Sequence, residues 1–189
     1  RNALLGAPVS DLDIASEAEP ETVIALAEAA GFKAVPTGIE HGTVTVVAKH
    51  IPHEITSFRR DVATDGRRAT VAFSRSIEED AARRDFTMNA LYARADGTVF
   101  DPTGAGLADL AQRRIRFVGD ADARIREDYL RILRFFRFTA WYGHELDAEG
   151  FAACAAHAEG LATLSRERVG AELKKLLMAP DPCPALAAM

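Results

Sequence analysis

The sequence predicts an α+β protein, with a small mixed sheet flanked by helices over residues 1–117 and an all-helical segment over 118–189. Three observations carry this. Up to about residue 117, short β-type runs alternate with short helical patterns. From residue 121, apolar residues recur every three or four positions, as on one helix face. The 189 residues are 48% hydrophobic and 27% charged, enough to bury a core in one domain or two small ones.

The elements follow in order. In "VSDLDIA" Asp11 and Asp13 project together from a strand while Leu12 and Ile14 pack behind. "PETVIALAEAAG" is a helix, with Pro20 near its start and Gly31 at its stop. "TVTVVAKH" and "HEITSFR" read as strands, the second with Glu54, Thr56 and Phe58 on one face and Ile55 and Ser57 on the other. "RRDVATDGRRATV" is polar, holds an Asp-Gly turn and lacks periodicity, which predicts a mobile basic loop. "MNALYA" reads as a short helix that Asp85 or Thr87 would cap. "ADARIREDYLRILRFFRFTAWYG" reads as one helix, with Ile125, Tyr129, Ile132, Leu133 and Phe136 on its apolar face and its end at Gly143. "AEGFAACAAHAEG" and "SRERVGAELKKLLMAP" add two helices, the latter capped by Ser165 and stopped by Pro180. "DPCPALAAM" opens another. The change of texture places a domain boundary near Val118.

Composition narrows the class. Apolar runs fall far short of the roughly 18 residues of a membrane span, and no leader pattern opens the chain. Cys154 and Cys183 lack metal-type spacing and read as thiols of a reducing compartment, so a cytoplasmic protein is expected. The net charge of -5 hides an asymmetry: residues 1–58 hold three cationic and eight acidic residues, and 113–137 hold eight arginines and four acidic residues. That arginine-dense strip suits a polyphosphate or RNA backbone; a solvated helix face with internal ion pairs is the competing reading. His50 and His53 are a weak metal pair, "DPTGAGLADL" reads as a turn, and Trp141 with Phe135, Phe136 and Phe138 reads as core.

Asp11 and Asp13 pose the chemical question. Two like charges on one strand face repel unless a cation lies between them. Mg²⁺ takes hard oxygen ligands, commonly one or two carboxylates plus substrate phosphates. A third carboxylate on a neighbouring strand, for which Glu54 is the candidate, would complete a two-metal site for nucleotidyl transfer. Alone, an Asp-x-Asp triplet is commonly a solvated loop or a cap.

The surrounding motifs decide. "RNALLGAPVSDLDIAS", "HEITSFR", the basic segment, "RRDFTMNAL", "DPTGAGLADLAQRRIRFVG", "REDYLRILRFFRF" and "RERVGAELKKLL" follow one another in the order of the class II tRNA nucleotidyltransferase (CCA-adding enzyme) and bacterial poly(A) polymerase family, which the chain resembles over nearly its whole length. The resemblance implies a nucleotidyltransferase head of the DNA polymerase beta type (1–117) and a helical neck (118–189). It implies CMP and AMP addition from CTP and ATP to a tRNA 3′ end, with an ATP-only poly(A) polymerase as the alternative and a catalytically silent RNA-binding relative as a third reading. By the same resemblance Asp11 and Asp13 bind magnesium, Glu54 is the third catalytic carboxylate, Arg84 and Asp85 meet the ribose, and Arg1, Asn89 and Arg134 join the nucleotide site. Family members carry a Gly-Gly pair just before the position of Arg1 and often aspartate at that of Asn2, and continue into body and tail domains.

In "EDYLR", Asp128 and Arg131 lie three apart on a helix and so share a face. Cytosine offers an amino donor at N4 beside an acceptor at N3, and adenine offers the same order at N6 and N1. An aspartate beside an arginine pairs with both. Uracil and guanine present the reverse, and each buried partner left unpaired costs about 1–3 kcal/mol. One protein template thus accepts CTP and ATP and rejects UTP and GTP. A surface ion pair, worth little, is the competing reading.

Overall fold

The computed structural model describes residues 1–9, 12–65 and 68–189, with 61–65 and 68–71 described by backbone alone. Two compact units form, one from Asn2–Ala63 with Ala69–Arg83 and the other from Arg1, Thr64–Arg68 and Arg84–Met189.

In the first unit the chain runs through Ile14–Ser16 (β1), Pro20–Ala29 (α1), Lys33–Gly38 (β2), Thr43–Ala48 (β3) and Ile51–Ser57 (β4). The sheet order is β1-β4-β3-β2, with β1 parallel to β4 and the other pairs antiparallel. This is the small mixed sheet expected. Pro20 opens α1, and Gly31, at φ +80°, follows its end in the left-handed region that glycine enters freely. Five of the six residues of β3 are β-branched or valine, which suits a strand. Its alternation buries Val44 and Val46 against Val23 and Ala27 of α1, with Ile24, Ala34 and Ile55 around them. Lys49 and His50 both take positive φ and join β3 to β4 as a two-residue hairpin loop. The sequence pattern had no signal for β2. It holds Pro36, which edge strands and pairing irregularities accommodate; β2 lies at the sheet edge and its register with β3 shifts between Val35 and Gly38.

Two expectations for this unit are corrected. β1 is only three residues long and starts after Asp13, and Leu12 and Ile14 are 60% and 37% exposed rather than packed behind it. The described residues of segment 59–71 are strand rather than loop: Arg59–Asp65 (β5) and Arg68–Phe73 (β6) pair as a two-stranded ribbon, and the turn expected at the Asp-Gly step falls on Gly66, outside the described residues. Val62, Thr64, Thr70 and Val71 supply the β propensity that its charges masked. Ile77–Ala82 (α2) follows, its Ser76 Oγ accepting from the Glu79 amide at 3.2 Å.

The second unit holds the short hairpin Tyr92–Ala93 (β7) and Val99–Phe100 (β8), then Gly106–Ala111 (α3), Ala121–Glu127 (α4), Leu130–Tyr142 (α5), Ala148–Ala156 (α6), Arg166–Leu177 (α7) and Cys183–Ala188 (α8). Ser165 caps α7 as expected, accepting from the Arg168 amide, and acidic Glu167 and basic Lys174 and Lys175 sit at the ends the helix dipole favours. The core is aromatic. Phe86 and Phe135 are fully buried, with Phe86 ring centroids 5.0 Å from Phe117 and 5.1 Å from Phe138.

Here three expectations change. "MNALYA" makes one 3₁₀ turn, Thr87–Asn89, and then enters β7, because the preceding backbone is held extended by Thr87 N–H to Arg116 C=O and Val118 N–H to Asp85 C=O. Trp141 is 38% exposed and not core, unlike Phe135, Phe136 and Phe138; its indole N–H donates to the Lys175 carbonyl, one of the orphan carbonyls in the last turn of α7. The helix over 121–143 is broken. Asp128 is extended (φ -159°, ψ 105°), and its Oδ1 accepts from the Leu130 amide at 3.1 Å, a local bond that competes with helix continuation. Among the described residues no helix is long and apolar enough to cross a membrane.

Candidate active site

Asp13 and Glu54 belong to the first unit. The parallel register of β1 and β4 begins with Ile14 opposite Ile55, so Asp13, just before β1, and Glu54, on β4, each precede that first pair by one residue. Both side chains are exposed, and among the described residues no ion pair reaches either. Asp11 lies outside the described residues. Two accessible carboxylates with hard oxygen donors and no protein cation between them fit Mg²⁺.

Asp85 organises the second unit's polar group. It is 8% exposed, and its Oδ2 accepts from Arg134 Nε at 2.7 Å and Nη2 at 2.5 Å. Its Oδ1 accepts from the Phe86 amide at 2.8 Å and from Asn89 Nδ2 at 2.9 Å. Burial alone would raise the Asp85 pKa; Arg134, Asn89 and the Phe86 amide together outweigh it and hold the carboxyl below the ordinary aspartate value. Asn89 Oδ1 in turn accepts from Arg1 Nη1, while Arg1 Nη2 donates to the Tyr142 hydroxyl at 3.1 Å and the guanidinium lies 4.3 Å from the Tyr142 ring centroid. Burial lowers the Arg1 pKa, partly offset by Tyr142 and Asp85. Four residues singled out in the sequence, Arg1, Asp85, Asn89 and Arg134, are thus brought into one network. Arg84, next in sequence to Asp85, places its guanidinium 5.9 Å from the Tyr92 ring centroid.

Asp128 and Arg131 do not share a continuous helix. Arg131, in the first turn of α5, donates from Nη1 to Glu127 Oε2 at 2.5 Å and to the Arg124 carbonyl at 2.8 Å. Asp128, in the break, accepts from Arg168 Nη2 at 2.6 Å.

Buried acids missed by the sequence reading support these groups. Glu172 is 5% exposed, accepts from Arg137 Nε at 2.5 Å and lies 3.8 Å from Arg134 Nη1. Asp109 is fully buried, bound twice by Arg116 and once by the Thr87 hydroxyl at 2.7 Å, and this bond with Asp109 raises the Arg116 pKa. A signal existed: Glu172 occupies the apolar stripe formed by Val169, Leu173 and Leu176, where a lone charge implies a buried partner.

The family model for the poly A polymerase head domain matches residues 1–116, and that for the probable RNA and SrmB-binding site of polymerase A matches 143–189. A CCA-adding enzyme of Streptococcus pyogenes is 47% identical over 182 residues, and the human mitochondrial CCA tRNA nucleotidyltransferase 1 is 43% identical over 185. These alignments cover 95% and 94% of this chain and 44% and 42% of the relatives. The crystal structure of the Bacillus stearothermophilus CCA-adding enzyme in complex with CTP superposes with a TM-score of 0.88 at 41% identity, covering 99% of this chain and 44% of that one. The chain therefore spans less than half the length of these three relatives. With the head model covering more than half of its residues in the motif order described above, this chain belongs to the poly A polymerase head-domain family of nucleotidyltransferases.

Proposed function

We propose that this chain is the head and neck of a template-independent RNA nucleotidyltransferase that adds CMP and AMP, from CTP and ATP, to the 3′ end of tRNA in the cytoplasm. The observation that carries this reading is the 47% and 43% identity to a bacterial CCA-adding enzyme and a human CCA tRNA nucleotidyltransferase over nearly the whole chain. The head (1–117) supplies chemistry and the neck (118–189) supplies base selection. Asp11 and Asp13 hold magnesium, with Glu54 as the third carboxylate. Bound there, the metal supplies Lewis-acid stabilisation of charge at the α-phosphate and lowers the pKa of the attacking hydroxyl.

The chain's own residues bind and orient. Arg84 and Asp85 hold the ribose of the incoming nucleotide. Arg1, Asn89 and Arg134 complete the nucleotide site, and the Asp85 network supports their role by holding both guanidinium groups in place. Asp128 accepts from the base amino group and Arg131 donates to the ring nitrogen. The RNA 3′-hydroxyl attacks the α-phosphate, forming the new ester while the bond to pyrophosphate breaks. Incubation of the protein with tRNA lacking its terminal CCA, with each NTP singly and together, and sequencing of the added ends tests this. CCA is expected; an A-tail would reassign the chain to poly(A) synthesis, and no addition by a magnesium-loaded, folded protein would refute catalysis.

A further inference from the structure

Asp128 is not oriented by a helix of its own. Its backbone is extended in the break between α4 and α5, yet two donors fix its carboxylate from different sides. The Leu130 amide reaches Oδ1 at 3.1 Å, and Arg168 Nη2 reaches Oδ2 at 2.6 Å from the first turn of α7, forty residues along the chain. One bond on each oxygen fixes the carboxylate plane. Each oxygen accepts two bonds, so each keeps an acceptor position. The Asp128 side chain is 29% exposed, within reach of a ligand. Arg131 is held by other partners, Glu127 and the Arg124 carbonyl of α4. Acceptor and donor are therefore set by different elements, α7 for Asp128 and α4 for Arg131.

We infer that Arg168 is a positioning residue for base selection, aiming the Asp128 carboxylate so that it accepts from the amino group of cytosine or adenine. The inference rests on the base-reading role proposed above for Asp128. Without Arg168 one bond to the Leu130 amide remains, and the carboxylate turns about its side-chain torsions. Discrimination against the carbonyl of uracil or guanine then falls, because the opposed oxygens swing apart instead of meeting.

Equilibrium binding of CTP, ATP, UTP and GTP to the protein and to Asp128→Ala, Arg168→Gln and Arg168→Lys tests this. Asp128→Ala should lower the preference for CTP over UTP by about 10- to 100-fold, and Arg168→Gln by roughly tenfold. Arg168→Lys, which keeps the charge but not the planar fork, should fall between glutamine and wild type. A merely structural role for Arg168 would weaken all four nucleotides alike, and that result overturns the inference. Should glutamine prevent folding, unchanged discrimination in Arg168→Lys overturns it instead. If Asp128→Ala itself leaves the preference unchanged, the base-reading role is what fails.

Discussion

Asp85→Asn isolates the charge at the centre of the Arg1–Asn89–Asp85–Arg134 network. The native carboxylate accepts four hydrogen bonds, two of them from Arg134. Asparagine keeps one oxygen, which can still serve the Phe86 amide and Asn89, but turns an NH₂ toward the guanidinium, donor against donor. Removing one partner of a buried ion pair costs about 3–5 kcal/mol. Here the Arg134 side chain is 31% exposed and Glu172 Oε1 lies 3.8 Å from its Nη1, so water and a second carboxylate absorb part of the uncompensated charge. We expect a loss of about 2–3 kcal/mol, read by urea unfolding at neutral pH with an unchanged m-value. The loss should also depend on pH. The folded-state pKa of Asp85 is lowered, so its contribution is present above the unfolded value of about 3.9 and is lost as pH falls from there toward the folded value. The gap between wild type and variant should therefore narrow below about pH 4. A variant within about 0.5 kcal/mol of wild type at neutral pH, or a gap unchanged on acidification, would refute the reasoning.

Three further outcomes are expected. Asp13→Ala or Glu54→Ala should abolish nucleotide addition while changing stability by less than about 0.5 kcal/mol, since both side chains are exposed; substantial residual turnover removes them from the catalytic set. Gly160→Ala should destabilise by about 1–3 kcal/mol in thermal or urea unfolding, because a Cβ there would lie 2.2 Å from Tyr129 Cδ1, and a neutral substitution would mean the ring moves freely. Thiol titration of the native protein should modify exposed Cys183 promptly and Cys154 only on unfolding, since burial pushes the Cys154 thiol up to about 12; rapid modification of both contradicts that burial.

Legibility in the sequence followed the range of the interactions. α1 and α7 were readable because their signals are local: Pro20 and Gly31 for one, the Ser165 cap for the other, each satisfied within a few residues. The same holds for β3 and β4, whose alternation shows which side faces α1. The ribbon of β5 and β6 was hidden because its arginines mimic a solvated loop, while the pairing that satisfies its backbone comes from the neighbouring strand. Trp141 was misplaced because periodicity does not count an indole N–H that needs a partner.

By itself the sequence determined the α+β class, the motif order and the residue types at the candidate site, because side-chain chemistry and short periodicities are written locally. Tertiary structure alone decided which of those residues meet. Arg134 reaches Asp85 across 49 positions and Arg168 reaches Asp128 across 40, closures whose entropy is repaid only when the helices pack. That long-range packing accompanies an extended Asp128 where periodicity predicts a helix, and so changes which side chains of the "EDYLR" segment meet.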